Sequence, residues 1–146
     1  MLNTERHLLE KAIIRAAMAH EGQVDKGGLP YILHPMAVML SLPSTDVDGR
    51  IVAVLHDVVE DTSVTLENLA QWMPEYLVQA VDAMSKRKGE SNRNYWARCK
   101  ANPIAARVKV ADMRHNSSPE RLACLTYPEQ EYLSEKYKEA LAFFVQ

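Results

Sequence analysis

VLHDVVEDT, residues 54–62, sets one histidine and three acids among valines, with no lysine or arginine between them. Placed on a helix with His56 at zero, Glu60 falls at about 40°, Asp57 at about 100° and Asp61 at about 140°. Ile51, Val52, Val54, Leu55, Val58 and Val59 fill the remaining arc. The stretch therefore reads as an amphipathic helix with one face in a core and the other carrying His56, Asp57, Glu60 and Asp61. For an arbitrary helix, a solvated polar face is the ordinary explanation. Two features count against it here. The acids crowd the last turn before Thr62, where the helix dipole is negative and each costs about 0.3–1 kcal/mol. Surface helices also interleave bases with acids, and this face has none. A bound divalent cation removes both difficulties. Histidine and carboxylate together suit Mn²⁺, Fe²⁺ or Zn²⁺ rather than Ca²⁺.

Working outward, the periodicity is helical nearly throughout, and no segment shows strand alternation bounded by hairpin turns. Leu8, Leu9, Ala12, Ile13, Ala16 and Ala17 make one face of a helix over about 4–21, capped by Asn3 or Thr4. The loop GQVDKGGLPYILH precedes a short helix opening with Pro35 at its first position. Thr45 or Asp46 caps the helix that carries the opening motif. Thr65 starts a short helix, and Pro74 begins one with Leu77, Val78, Val81 and Met84 in register. Further helices are expected around 92–100, after the Asn102-Pro103 cap, and from Pro128 to near Phe144. The expected fold is all-α, a single domain over residues 1–146, long enough to bury a core.

Composition excludes several classes. The net charge is −2 and the only dense basic run is Lys86-Arg87-Lys88, which argues against a nucleic-acid binder. Small nucleotides need only a local pocket. Cys99 and Cys124 form no CxxC pair and fit a reducing compartment. The opening MLNTERHLLEK is too charged for a signal peptide and no apolar run approaches spanning length. The expectation is a cytoplasmic protein without membrane contact, its oligomeric state open.

One helix cannot complete a metal site. His34, just before Pro35, is expected to be held extended by the proline; alone it reads as a capping or packing histidine. Asp112, in IAARVKVADMRHN, borders the apolar stripe, where a carboxylate needs a hydrogen-bond or metal partner. Asn116 follows one turn later on the same side.

Four ordered blocks now stand out: AHEGQ (19–23), KGGLPYILHP (26–35), AVLHDVVEDT (53–62) and VKVADMRHN (108–116). Together they resemble the hydrolase domain of the RelA/SpoT homologue superfamily, a branch of the HD-domain phosphohydrolases. With no synthetase domain following, the resemblance points to the stand-alone small alarmone hydrolases. It implies an HD-type helical bundle with His34, His56, Asp57 and Asp112 as metal ligands, usually for Mn²⁺. It implies Glu60 and Asp61 as the carboxylates that orient and deprotonate the attacking water, and Asn116 as a contact to the nucleotide sugar or a phosphate. The bond broken is the ester joining a pyrophosphate to the ribose 3′ oxygen of a guanosine alarmone. The residue chemistry is consistent with this: a metal acidifies water and polarises a phosphoryl oxygen, and an unligated carboxylate one turn from His56 can take a proton.

The pattern also departs from that family. In guanosine-specific relatives the loop reads like RKSGEPY, whereas here VDKGGLPY puts Asp25 where the arginine stands. An acid cannot stack as a cation on a base; it accepts from a base amino group or points to solvent. An adenosine alarmone is therefore open alongside guanosine. Lys26 beside Gly27-Gly28 reads equally as a phosphate-facing loop or a solvated turn. Lys109 reads equally as a phosphate contact or a surface lysine. The KRK loop either steers an anion or is solvated, Tyr31 packs, and Lys136 and Tyr137 either close a pocket or form an ordinary helix face. The alternatives to the leading reading are an HD phosphohydrolase of another nucleotide and a nucleotide-binding regulator without turnover.

Overall fold

The computed structural model describes residues 2–146 and is helical, with no strand among the described residues beyond an isolated bridge between Val24 and Pro30. Its centre is α3 (Val47–Leu55). Ile51, Val52, Ala53, Val54 and Leu55 are each at most 1% exposed, so the C-terminal half of this helix is apolar all round and must be enclosed on every side. Around it pack α1 (Asn3–Ala19), α2 (Leu33–Ser41), α6 (Glu75–Met84) and α8 (Pro103–Asn116). The outer elements are α4 (Val58–Asp61), α5 (Leu66–Ala70), α7 (Asn92–Lys100), α9 (Pro119–Leu122) and α10 (Tyr127–Phe144).

Most caps fall where their residues direct. Asp46 accepts from Gly49 N at 3.0 Å, Thr65 and Asn68 cap α5 reciprocally, and Asn102 accepts from Ile104 N and Ala105 N ahead of Pro103. The α6 residues Leu77, Val78, Val81 and Met84 are all buried, as their register requires.

Four local expectations are corrected. The cap of α1 is Leu2, whose N–H donates to Glu5 at 2.8 Å; Asn3 is already helical and accepts from Arg6. The same helix ends at Ala19 rather than Glu21, because the chain turns at His20 toward Gly22, whose φ of +83° suits glycine. Helix α2 opens at Leu33, two residues before Pro35, so His34 is helical rather than extended. Its N–H donates to Tyr31 O at 3.0 Å. A proline within the first turn removes only an N–H that has no intrahelical partner. The Ser/Pro-rich segment contains an extra turn, α9, opened by Pro119.

The largest correction concerns the opening motif. It is not one helix: α3 stops at Leu55, His56 and Asp57 form a turn, and α4 restarts at Val58. At the break His56 N reaches Ala53 O, three residues back, and the His56 side chain caps the same carbonyl. Adjacent residues diverge by about 100° on a regular helix. Here the break lets the His56 and Asp57 side chains approach to 3.0 Å.

Candidate metal centre and cleft

Three elements meet at this break. The start of α2 carries His34, the α3–α4 turn carries His56 and Asp57, and the last turns of α8 carry Asp112. One ligand atom from each of His34, His56 and Asp57 lies within 4.8 Å of the other two. Asp112 Oδ1 stands 2.9 Å from His34 Nε2 and 3.2 Å from His56 Nε2; Asp57 Oδ2 stands 3.0 Å from His56 Nε2 and 3.9 Å from His34 Nε2. The two histidines and Asp112 are at most 4% exposed. His34, His56 and Asp57 are thus brought to one point, with Asp112 Oδ1 against both imidazoles.

The chemistry of that point is unusual for a folded interior. His56 Nδ1 lies 2.6 Å from Ala53 O, which can only accept, so Nδ1 carries the proton and donates. Its Nε2 is buried without a hydrogen-bond partner among the described residues, although two carboxylate oxygens stand beside it. Neutral His56 would therefore present a lone pair to acceptors, an arrangement that repels unless a positive charge enters. Burial pushes His56 down, yet Asp57 and Asp112 outweigh it and hold the imidazole well above its ordinary value. Burial likewise opposes ionisation of Asp112, but Lys109 and then His56 hold its carboxyl well below the usual range.

These residues fit a divalent metal. Donors at about 2.0–2.2 Å from one ion stand roughly 3 Å from one another, close to the 2.9, 3.0 and 3.2 Å of three of these pairs, while His34 and Asp57 stand wider at 3.9 Å. The set also has its supports. Tyr31 Oη donates to Asp57 Oδ2 at 2.5 Å, Asn116 Nδ2 donates to Asp112 Oδ1 at 3.0 Å, and Lys109 Nζ donates to Asp112 Oδ2 at 2.9 Å. The expectation that Tyr31 merely packs is therefore replaced by a direct role beside Asp57. Burial, then the Asp57 charge, raises its hydroxyl pKa, so it stays a donor.

Beside the centre opens a cleft of about 180 Å³, lined on one side by His56, Asp57 and Glu60. Lys86, Lys109 and Lys136 contribute to its lining, as do Tyr95, Trp96 and Tyr137. Burial first, and then Lys109 and Lys86, lower the pKa of Lys136; three cations crowd one small space. Glu60 accepts from Lys86 N–H, and burial raises its carboxyl above the ordinary glutamate value. Burial and then Asp57 raise Asp61 as well. Asp61 does not line the cleft, and its backbone carbonyl accepts from Gln23 Nε2 at 2.8 Å. Gln23 is in turn held by His20 Nδ1 at 2.7 Å, which ties the AHEGQ block to the end of α4.

Some expected contacts are not brought to the cleft. Lys26 does not line it; its ammonium is exposed and stands 3.7 Å from Glu129. Asn116 is turned to Asp112 rather than into the cleft. Lys109 is no surface lysine, being largely buried against Asp112. Asp25 neither points to solvent nor offers itself to a base. Its Oδ1 accepts from Gly27 N and Leu29 N, each at 2.9 Å, and Arg121 lies 3.8 Å from its Oδ2. Of the KRK run, Lys86 alone faces the cleft, while Arg87 pairs with Asp82. Lys136 and Tyr137 do line the cleft, a placement that helical spacing could not reveal. Missed altogether was His115, whose Nδ1 lies 2.7 Å from His34 Nδ1. Its one signal was position, three residues after Asp112.

A helical bundle with a His, His-Asp, Asp centre at a helix break defines an HD domain, and the HD domain family model matches residues 12–116. The chain belongs to that family, which implies a divalent metal. It is homologous to the hydrolase domains of SpoT and RelA proteins. It is 39% identical over 80 residues to the bifunctional (p)ppGpp synthase/hydrolase SpoT of Escherichia coli K12, covering 53% of this chain and 11% of that protein. Against the guanosine-3′,5′-bis(diphosphate) 3′-pyrophosphohydrolase of Borreliella burgdorferi it is 32% identical over 126 residues, covering 77% of this chain and 19% of that protein. A probable GTP pyrophosphokinase of Mycobacterium leprae is 32% identical over 120 residues, covering 75% of this chain and 15% of that one. The chain thus spans less than a fifth of the length of these relatives. The fold matches a solved structure described as a metazoan ortholog of SpoT that hydrolyzes ppGpp. Its TM-score is 0.79 at 19% identity, covering 94% of this chain and 85% of that one.

Proposed function

We propose that this chain is a metal-dependent nucleotide 3′-pyrophosphohydrolase, releasing pyrophosphate from a guanosine or adenosine alarmone such as (p)ppGpp. The observation that carries the reading is the buried, unpartnered His56 Nε2 facing two carboxylates, next to a cleft with three lysines. His34, His56, Asp57 and Asp112 hold the ion, Mn²⁺ in the first instance, with Fe²⁺ or Zn²⁺ as alternatives. Bound there, the ion supplies Lewis acidity at a phosphoryl oxygen and acidifies water.

The protein's own groups do the rest. Lys86, Lys109 and Lys136 neutralise the pyrophosphate as charge builds on it. Ligand pockets usually run to about 300–1,000 Å³, so a cleft of about 180 Å³ takes the phosphate end and leaves the nucleoside at its mouth. Glu60, its carboxyl raised by burial, takes the proton of the attacking water. Tyr31 and Asn116 keep Asp57 and Asp112 aimed. The working unit is one domain over residues 1–146, acting on a small nucleotide in the cytoplasm rather than on nucleic acid or a membrane. No described helix is long and apolar enough to cross a membrane.

Incubating the protein with Mn²⁺ and guanosine or adenosine 3′-pyrophosphates, alongside simple mononucleotides, tests the reading. Pyrophosphate release from the 3′-pyrophosphates alone is expected. Release of phosphate from mononucleotides instead would favour a different HD phosphohydrolase. Tight nucleotide binding with metal bound and no product would favour a regulator. The second reading within the leading class, an adenosine substrate, is left equally open by one observation. Asp25 is consumed by its own loop, so no side chain at that position selects guanine.

A further inference from the structure

His115 lies on α8, three residues beyond Asp112, with its Nδ1 2.7 Å from the Nδ1 of His34. The two ring centroids are 4.9 Å apart and the planes differ by 17°. Nitrogens that close allow so large a centroid separation only when both nitrogens and both centroids fall nearly on one line. The rings are therefore edge to edge and almost coplanar, not face to face. That is the alignment of a good N–H···N hydrogen bond, directed along the acceptor's lone pair.

Compare the two histidines at the centre. His56 has its tautomer set by a backbone carbonyl, which can only accept, so its Nε2 is left with a lone pair. His34 has no carbonyl at Nδ1; it has a second imidazole, which can donate or accept. Two facing nitrogens share one proton. When His34 Nε2 gives its lone pair to an ion, His34 Nδ1 must hold that proton and His115 Nδ1 must accept it. With the ion absent, His34 Nε2 can instead donate to Asp112 Oδ1, 2.9 Å away, and His115 then donates to His34. The same bond survives both states, so the His34 ring stays aimed while its proton changes ends.

We infer that His115 is a positioning residue for the metal centre, accepting the Nδ1–H of His34 and so holding the His34 Nε2 lone pair on the ion. Helix α8 thereby supplies one ligand, Asp112, and the orienting partner of another. This rests on the reading of the centre as a metal site. Partners of metal-bound histidines are worth about 10–100-fold in metal affinity.

The test is Mn²⁺ affinity of the purified protein by calorimetry without nucleotide, beside His115→Phe, His115→Asn and a His56→Ala control. Phenylalanine keeps the bulk and offers no acceptor; the asparagine oxygen sits near the place of Nδ1 and accepts. His115→Phe should bind Mn²⁺ about 10–100-fold more weakly and His115→Asn within a few-fold of wild type, with metal-free urea midpoints unchanged. Unchanged affinity in His115→Phe, or equal loss in His115→Asn, overturns this inference alone. Wild-type protein that binds no divalent metal overturns the metal reading and this inference with it. A second measurement needs no variant: in Zn²⁺-loaded, ¹⁵N-histidine-labelled wild type, a coupling across the hydrogen bond should link His34 Nδ1 to His115 Nδ1, with the proton on His34. A proton on His34 Nε2 in that state overturns the inference even if His115→Phe does not fold.

Discussion

Helices α3 and α8 are joined by charge at both ends of α3, and the two junctions differ in kind. At the start of α3, Asp46 accepts two hydrogen bonds from Arg107 of α8, at 2.7 and 2.8 Å, and a third from Gly49 N. Both carboxylate oxygens there meet donors. At the other end, His56 and Asp57 face Asp112 of α8, and imidazole nitrogens meet carboxylate oxygens that attract only when a proton or a metal ion lies between them. The first junction is complete and is a clamp. The second can be filled either by protons or by a metal ion, and that exchangeability is what marks it as a site. Counting acids on a helix does not separate the two; asking what each carboxylate faces does.

The sharpest way to break this contrast is Glu60→Gln. It leaves the converging groups intact and removes only the base, so Mn²⁺ should still bind while pyrophosphate release falls by about 10²–10⁴. A native rate in that variant would remove Glu60 from the mechanism. Next in size, Mn²⁺ at about 100 times its Kd should stabilise the wild type by about 2.7 kcal/mol, read as a shift in urea midpoint that a chelator reverses. His56→Ala should show no such shift. If it did, the ion would be held elsewhere.

At the clamp the expected effects are smaller and purely structural. Asp46→Ala removes a helix cap together with a half-exposed ion pair and should cost about 1–2 kcal/mol in chemical denaturation. Mn²⁺ affinity should be unchanged. The least effect is one of pH. The Arg107 hydrogen bonds outweigh burial, and with Gly49 N–H they hold Asp46 below its ordinary 3.8. A carboxylate lowered by folding stabilises above its unfolded-state pKa and loses that contribution as pH falls through its folded value. Asp46→Asn, which can still cap, should therefore trail wild type at pH 7 by less than the alanine variant. The gap should close below the ordinary value of 3.8; a gap that persisted in acid would mean the pair's charge is not its source.

Much of this was legible along the chain because it is local. Asp46, Thr65 and Asn102 each cap the helix that follows, and a cap needs only its next three residues. The α6 stripe and the HDxxED spacing are likewise short-range patterns. What escaped depended on departures from regularity or on distant chain. The break at His56 and Asp57 cannot be read from valine periodicity, since residues 51–55 are apolar on all faces. Pro35 suggested a helix start, yet a turn from Tyr31 began it earlier. Lys26 and Lys109 looked alike in sequence. One lies beside Glu129 in solvent and the other is largely buried against Asp112.

By itself, the order of residues determined that the chain is helical, where most helices begin, and which side chains carry metal-type chemistry. Those properties follow from spacings of a few residues and from the donors each side chain owns. Only the tertiary structure decided that His34, His56, Asp57 and Asp112 converge, that Lys86, Lys109 and Lys136 share one cleft, and that His115 backs His34. Such pairings join residues up to 81 positions apart, and their geometry is set by how α2, α3 and α8 pack around a common core.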